Sequence, residues 1–396
     1  LPGERGDVGG RRRAFATWRK VLENLLIATT AAALILLASM ISVEMGLSVA
    51  IIEIVLGVIG GNFLGLHTTP WMDFLAGFAS IVLTFLAGAE VDPDLLAEKW
   101  RESLLIGGIS FLAPFLAAWA FTHWALGWSS QASQIAGVAL STTSLAVVYA
   151  VLVETGLTET RIGKIIMAST FVTDFGTALA LSLLFIRPGP MLLVFVLVSA
   201  VLILAVPRLA PLFFRRYGNR VIEPEIKLIF ACLFLLMLMG ELGESHAVLP
   251  AFLFGLAMAR LLARNRVQQQ RLRVVAFALL TPFFFLKSGM NISLPAVIAN
   301  IGWVAALFAV KLIAKFVGVY PLARHFVPRH SWYTTLLMST GLTFGTISSL
   351  YGLNAGILSR AQFSVLVTVV IGTAIIPTLI AQRFFSPPLE PTGSEV

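Results

Sequence analysis

The chain has 396 residues, of which 58% are hydrophobic and only 12% charged, against roughly a quarter charged in ordinary globular domains. Its mean hydropathy is +0.91, and so much hydrocarbon surface excludes a fold dissolved in water. The formal net charge of +8 is then read as membrane orientation and not as a nucleic-acid surface.

A helix crosses the hydrocarbon of a bilayer with about 20 mostly apolar residues. Such runs recur near 21–43, 47–66, 73–90, 103–126, 131–154, 162–186, 189–210, 225–243, 247–263, 274–292, 296–321, 332–352 and 361–384. The alternation of a membrane β-barrel is absent. The sequence therefore predicts an all-α polytopic membrane protein of about 13 transmembrane helices. Polar tails at 1–20 and 385–396 flank one membrane domain, 21–384. Cys232 stands alone in an apolar run, which leaves no intrachain disulfide and no cysteine-based metal site.

Basic residues gather between the runs. Arg208, Arg215, Arg216, Arg220 and Lys227 lie between the seventh and eighth, and Arg260, Arg264, Arg266, Arg271 and Arg273 between the ninth and tenth. Both clusters fall on one side of the bilayer, with little beyond Arg187 and Arg360 opposite. The positive-inside rule makes the rich side cytoplasmic, and the C-terminus with it, in a multi-pass cell-membrane protein. Arg11, Arg12, Arg13, Arg19 and Lys20 argue the other way, but the loops argue repeatedly.

Two runs carry polar interruptions. One holds Ser141-Thr142-Thr143-Ser144, the other Ser339-Thr340-Gly341-Leu342-Thr343-Phe344-Gly345-Thr346. Each is second from the end of a group of helices. Broken backbone is tolerated at membrane depth only where protein or a water-lined cavity satisfies it. A matched pair of such breaks points to inverted repeats with a binding site at the midplane; close helix packing through small residues is the plainer reading of each alone.

Asp174 lies in the middle of the sixth run. A charge there costs roughly 2.5–3.5 kcal/mol on insertion scales, so it should face a cavity or a partner. Thr170 and Thr177 share its helix face. A carboxylate in such a place can hold a proton or a cation but not readily both, and that competition is the simplest device for exchange. Lys311 and Lys315 stand four apart on one face of the eleventh run, where either ammonium can balance a carboxylate or a transported charge. Lys287 and Glu53 are left open. The histidines lack metal-ligand spacing, and no phosphate-cradling glycine loop or catalytic pair appears. A secondary transporter is expected, not an enzyme, with no cofactor beyond the transported ions.

In several stretches the sequence resembles the second family of monovalent cation:proton antiporters, from about residue 47 to 384. Phe85-Leu86-Ala87-Gly88-Ala89-Glu90-Val91-Asp92 looks like the family's FLxGxE helix end. Leu140–Ser144 through Val151–Leu157 looks like its first interrupted helix, and Arg161-Ile162-Gly163-Lys164 leads into its aspartate helix. Pro282–Phe285 with Gly289, and Gly341–Gly345, resemble further segments. The resemblance implies two crossing interrupted helices in a core bundle, a second bundle for dimerisation, a homodimer, and an elevator-like movement of the core.

It also implies site residues. Asp174 matches the ion-binding aspartate for Na⁺ or K⁺, with Thr173, Thr142 and Thr143 beside it. Lys315 matches the facing basic residue, and Ser144, Thr340 and Thr343 fall at the crossover. Electrogenic members carry Asp-Asp where this chain has Thr173-Asp174, so charge arithmetic favours one proton per cation and electroneutral exchange. The alternative is a Na⁺-coupled organic-anion symporter of similar crossed-helix architecture. A mid-site acid suits a cation and repels an anion, which separates the two. A potassium channel is disfavoured for want of a re-entrant pore loop.

Overall fold

The computed structural model describes residues 8–45, 48–91, 99–158, 160–185, 189–218, 220–243 and 245–387, and among them there are helices and no strand. Asp92, Arg187 and the ends of both tails lie outside the described residues. In chain order the helices are α1 (Val8–Met45), α2 (Val49–Phe63), α3 (Pro70–Ala89), α4 (Trp100–Ala120, continued by a π-turn Phe121–Ala125), α5 (Ser130–Ser141), α6 (Leu145–Glu154) and α7 (Arg161–Leu184). Then follow α8 (Pro190–Tyr217), α9 (Pro224–Leu242), α10 (Val248–Arg264), α11 (Arg266–Val275, with a π-turn Ala276–Leu280) and α12 (Thr281–Met290). The chain continues through α13 (Leu294–Ala299), α14 (Ile301–Phe326), α15 (Ser331–Met338), α16 (Thr343–Asn354) and α17 (Arg360–Phe384).

Each expected span falls on a helix or a broken pair of helices. Among the described residues, 9 spans are long and apolar enough to cross a membrane by themselves, and Val49–Phe63 is a shorter apolar helix. Local chemistry fixes the ends. Thr160 caps α7 by accepting from the Gly163 amide at 3.2 Å, and Ser359 with Gln362 forms a reciprocal capping box on α17. Proline opens α3, α8, α9 and α12, where its missing N–H costs nothing. One departure is at the start: α1 begins at Val8, inside the segment expected to be a tail.

The helices sort into two bundles by their packing. α1, α2, α3, α8, α9, α10 and α12 pack on one another, and so do α4, α5, α7, α14, α15, α16 and α17. The first bundle is pinned by two glycine crossings. A side-chain carbon on Gly88 of α3 would run into the Phe252 carbonyl of α10, and one on Gly255 of α10 into the Phe85 carbonyl. The crossing of α2 and α12 repeats this, with Gly57 against the Leu286 carbonyl and Gly289 against that of Ile54. In all four cases the obstructing carbonyl belongs to the residue three before the partner glycine. Exchanging α2 with α10 and α3 with α12 maps one crossing onto the other, which is the packing signature of a repeated half.

In the core bundle the two expected interruptions are real. Helical structure stops at Thr142–Ser144 and again at Ser339–Leu342. The breaks cross each other: the Ser144 amide donates to the Thr340 carbonyl at 3.2 Å, and Thr143 Oγ1 to the Met338 carbonyl at 2.8 Å. Each break thus satisfies part of the other's exposed backbone, as a low-dielectric interior demands.

Candidate functional site

The crossover is the polar centre of the core, and α14 brings charge to it. Lys311 and Lys315 are both 0% exposed, while Ile313 and Val317, half a turn away, face outward. Lys315 Nζ donates to Ser110 Oγ on α4 (2.7 Å), to the Ser141 carbonyl (3.0 Å) and to Thr143 Oγ1 (3.1 Å). An ammonium has three donors, and all are used. Ser141 is the last residue of α5, so Lys315 also sits at the negative end of that half-helix dipole. Lys311 Nζ donates to Thr373 Oγ1 on α17 at 3.0 Å. It lies against Gly341 in the second break, where a side-chain carbon would meet both the ammonium and Thr142 Oγ1.

Asp174 is 2% exposed on α7. Its Oδ1 is buried and has no hydrogen-bond partner, and none of the described ion pairs includes it. Lys315 nevertheless acts on it electrostatically. A buried acceptor without a donor is costly. Thr170 and Thr177 direct their protons into their own helix, to the Ile166 carbonyl (2.9 Å) and the Thr173 carbonyl (2.8 Å), which leaves oxygen lone pairs free.

The remaining sequence-derived residues fall as follows. Thr173 is buried and its hydroxyl donates to the Thr170 carbonyl at 2.6 Å. Thr142 donates to the Ala139 carbonyl at 3.2 Å and Thr340 to that of Leu337 at 2.7 Å. Ser144 is the last residue of the first break, and Thr343 follows the second and opens α16. The structure therefore brings Thr143, Ser144, Thr340 and Lys315 into one contact network. Asp174 approaches from α7, whose Thr170 hydroxyl reaches Met338 Sδ at 3.7 Å. Sequence reasoning missed Ser110 and Thr373, single hydroxyls in apolar runs with no local signal. Glu53 and Lys287 belong to the other bundle, where Lys287 pairs with Asp73 at 2.9 Å.

A cavity lies farther along α7 from Asp174, and an aromatic cluster lies at its own level. A cavity of about 340 Å³ separates the two bundles, lined by Ser80, Glu241 and His246 on one side and Leu181, Ile347 and Tyr351 on the other. Leu181 is seven residues, hence about two turns, along the same face of α7 from Asp174. The cavity lies near the Leu242 end of α9, opposite the arginine-rich end. At the level of Asp174, Phe171 stacks on Phe252 of α10 with ring centroids 5.4 Å apart. Phe175 and Phe344 close on the same ring at 6.0 and 6.3 Å.

Known proteins resemble this chain in sequence and in fold. The family described as the sodium/hydrogen exchanger transmembrane region matches residues 27–386. A probable Na⁺/H⁺ antiporter of Methanocaldococcus jannaschii is 27% identical over 358 residues, 85% of this chain and 89% of that one. The Na⁺/H⁺-K⁺ antiporter GerN of Bacillus cereus is 25% identical over 363 residues, 88% of this chain and 93% of that one. The solved structure of the sodium proton antiporter MjNhaP1 from Methanocaldococcus jannaschii shares the fold, with a TM-score of 0.64 at 14% identity over 91% of this chain and 96% of that one. With a family match over nearly its whole length, the chain belongs to the transmembrane sodium/hydrogen exchanger family and is a multi-pass membrane transporter, not an enzyme.

Proposed function

We propose that the protein exchanges a monovalent cation, Na⁺ or K⁺, for protons, with Asp174 binding cation and proton in turn. The observation that carries this reading is the buried Asp174 carboxylate of the core bundle, one oxygen of which has no partner. The cation meets the carboxylate, with the lone pairs of Thr170 and Thr177 and backbone at the breaks within the same region. A proton displaces it by neutralising the same charge. Movement of the core bundle against the other then changes the side to which Asp174 is open, as an elevator does. The cavity between the bundles and the Phe252 cluster beside Asp174 suit one end state of that movement.

Exchange is electroneutral in this scheme. Among the described residues Asp174 is the one buried acid of the core bundle, so one proton replaces one cation. The arginine-rich loops favour a cytoplasmic C-terminus. The outward apolar faces of α1 and α8, with Leu25, Leu26, Leu193 and Leu197 exposed, suit lipid and the second subunit of a homodimer. The relatives named for Na⁺ and for K⁺ support both cations as candidates.

The test is collapse of an imposed pH gradient in proteoliposomes on addition of Na⁺, K⁺ or Li⁺. Wild type responds to at least one of them and Asp174→Asn to none. A variant that exchanges normally overturns the assignment. Current recorded in the same liposomes checks the charge balance, since sustained potential-generating turnover excludes one-for-one exchange.

A further inference from the structure

The cavity between the bundles carries an acid that the exchange scheme leaves unused. Part of its lining is apolar and buried: Leu181 of α7, Ile347 of α16 and Phe284 of α12 are 0%, 3% and 0% exposed. Another part is polar and reaches the surface. Glu241 in the last turn of α9 and Asn354 at the end of α16 both line the cavity and are both exposed. Ser80 of α3 adds a hydroxyl whose proton goes to the Gly77 carbonyl at 2.7 Å, which leaves oxygen lone pairs free. Among the described residues of the lining, Glu241 is the one carboxylate, and no lysine or arginine accompanies it. None of the described ion pairs includes it. His246, also in the lining, offers no balancing charge at neutral pH, because burial holds its imidazole down at about 4. Lys287 of α12 is committed to Asp73 of α3 at 2.9 Å.

A carboxylate at the rim of a cleft with apolar walls raises the local concentration of cations, because low-dielectric walls keep its field from spreading. The cavity leads from Glu241 to Leu181, which lies on the Asp174 face of α7 about two turns from that carboxylate. Glu241 belongs to the bundle of α3 and α10, whereas Leu181 and Asp174 ride together on α7 of the core. We propose that Glu241 is a cation-collecting residue at the rim of this cavity, a first and transient station for Na⁺ or K⁺ on the way to Asp174 from the side opposite the arginine-rich loops. This rests on the reading of Asp174 as the shared binding site. An exposed carboxylate gathers monovalent ions without holding them, and its reach ends at the screening length, about 10 Å in 0.1 M salt. The role is therefore specific to one side of the membrane and sensitive to ionic strength.

The experiment uses the full chain in membrane vesicles of the two orientations, so that either the cavity side or the arginine-rich side faces the medium. Na⁺ is the probe, or K⁺ if wild type responds only to that ion, and collapse of an imposed pH gradient is followed as it is added. At an ionic strength of about 10 mM the screening length is about 30 Å. There Glu241→Gln should raise the cation concentration for half-maximal exchange about threefold from the cavity side and leave it unchanged from the other. Glu241→Lys, which reverses the charge, should raise it about tenfold, and Glu241→Asp should stay within about 1.5-fold of wild type. Choline chloride at about 0.3 M should shrink the effect of Glu241→Gln to less than about 1.5-fold. Loss of a mere packing contact would act from both sides and would not respond to choline. Equal half-maximal concentrations for wild type and Glu241→Gln from the cavity side overturn the proposal, as does a change of the same size from both sides or one that persists in choline. Normal exchange by Asp174→Asn would sink the underlying site instead.

Discussion

Lys315 does not pair with Asp174. Its three N–H groups go to Ser110, Ser141 and Thr143, so the lysine holds the first break in place and acts on the carboxylate only through space. Replacing it with methionine removes one charge and orphans the carbonyl at the end of α5. The expected cost is roughly 3 kcal/mol or more, seen as a lower midpoint of thermal unfolding in detergent. Lys315→Arg should recover part of that loss. A methionine variant as stable as wild type would mean that the breaks hold themselves.

The glycine crossings make a sharper stability claim. Gly255→Ala places a methyl against the Phe85 carbonyl, and Gly57→Ala places one against that of Leu286. Backbone cannot move aside as a side chain can, so each change should cost about 1–3 kcal/mol or more and lower the yield of folded protein. Gly108 has open space around it. Gly108→Ala serves as the control and should be neutral or slightly stabilising. Comparable losses at all three positions would count against close backbone contact as the cause.

Phe252 is the fixed half of the aromatic cluster beside Asp174, because α10 is locked to α3 while Phe171 and Phe175 ride on α7. With the buried Cys232 replaced, a cysteine at Thr177 gives a reporter one turn from Asp174. A membrane-impermeant thiol reagent should label it chiefly from the cavity side. Adding Phe252→Ala should raise labelling from the basic side several-fold. Equal labelling with and without the ring would show that the seal lies elsewhere.

His246, in the turn between α9 and α10, packs edge-on to Tyr351 of α16 with centroids 3.9 Å apart, and so bridges the two bundles. Burial pushes its imidazole from 6.5 down to about 4. The unfolded chain therefore takes up a proton below about 6.5 that the folded chain refuses until about 4. The stability tied to the neutral ring is complete above the higher value and fades as pH falls toward the lower one. His246→Gln should flatten the dependence of the unfolding midpoint on pH between about 7 and 4.5. An identical slope in the variant would show that the ring is solvated.

Lipid explains why much of this protein could be read without coordinates. A bilayer forbids unsatisfied backbone, so apolar runs had to be helices, and the Ser/Thr-rich interruptions at 141–144 and 339–346 had to be sheltered by something. Asp174 and the lysine pair stood out because charge inside a span is expensive. Their grouping did not follow from that rule. Which helix faces which depends on contacts between residues far apart in sequence, such as Thr143 with Met338 or Lys311 with Thr373. Ser110 and Thr373 carry no local signal, since one hydroxyl in an apolar helix usually satisfies itself on the preceding turn. The glycine crossings show the same division. Sequence marks Gly57, Gly88, Gly255 and Gly289 only as small, and their pairing across two bundle halves was decided by how closely two backbones could approach in three dimensions.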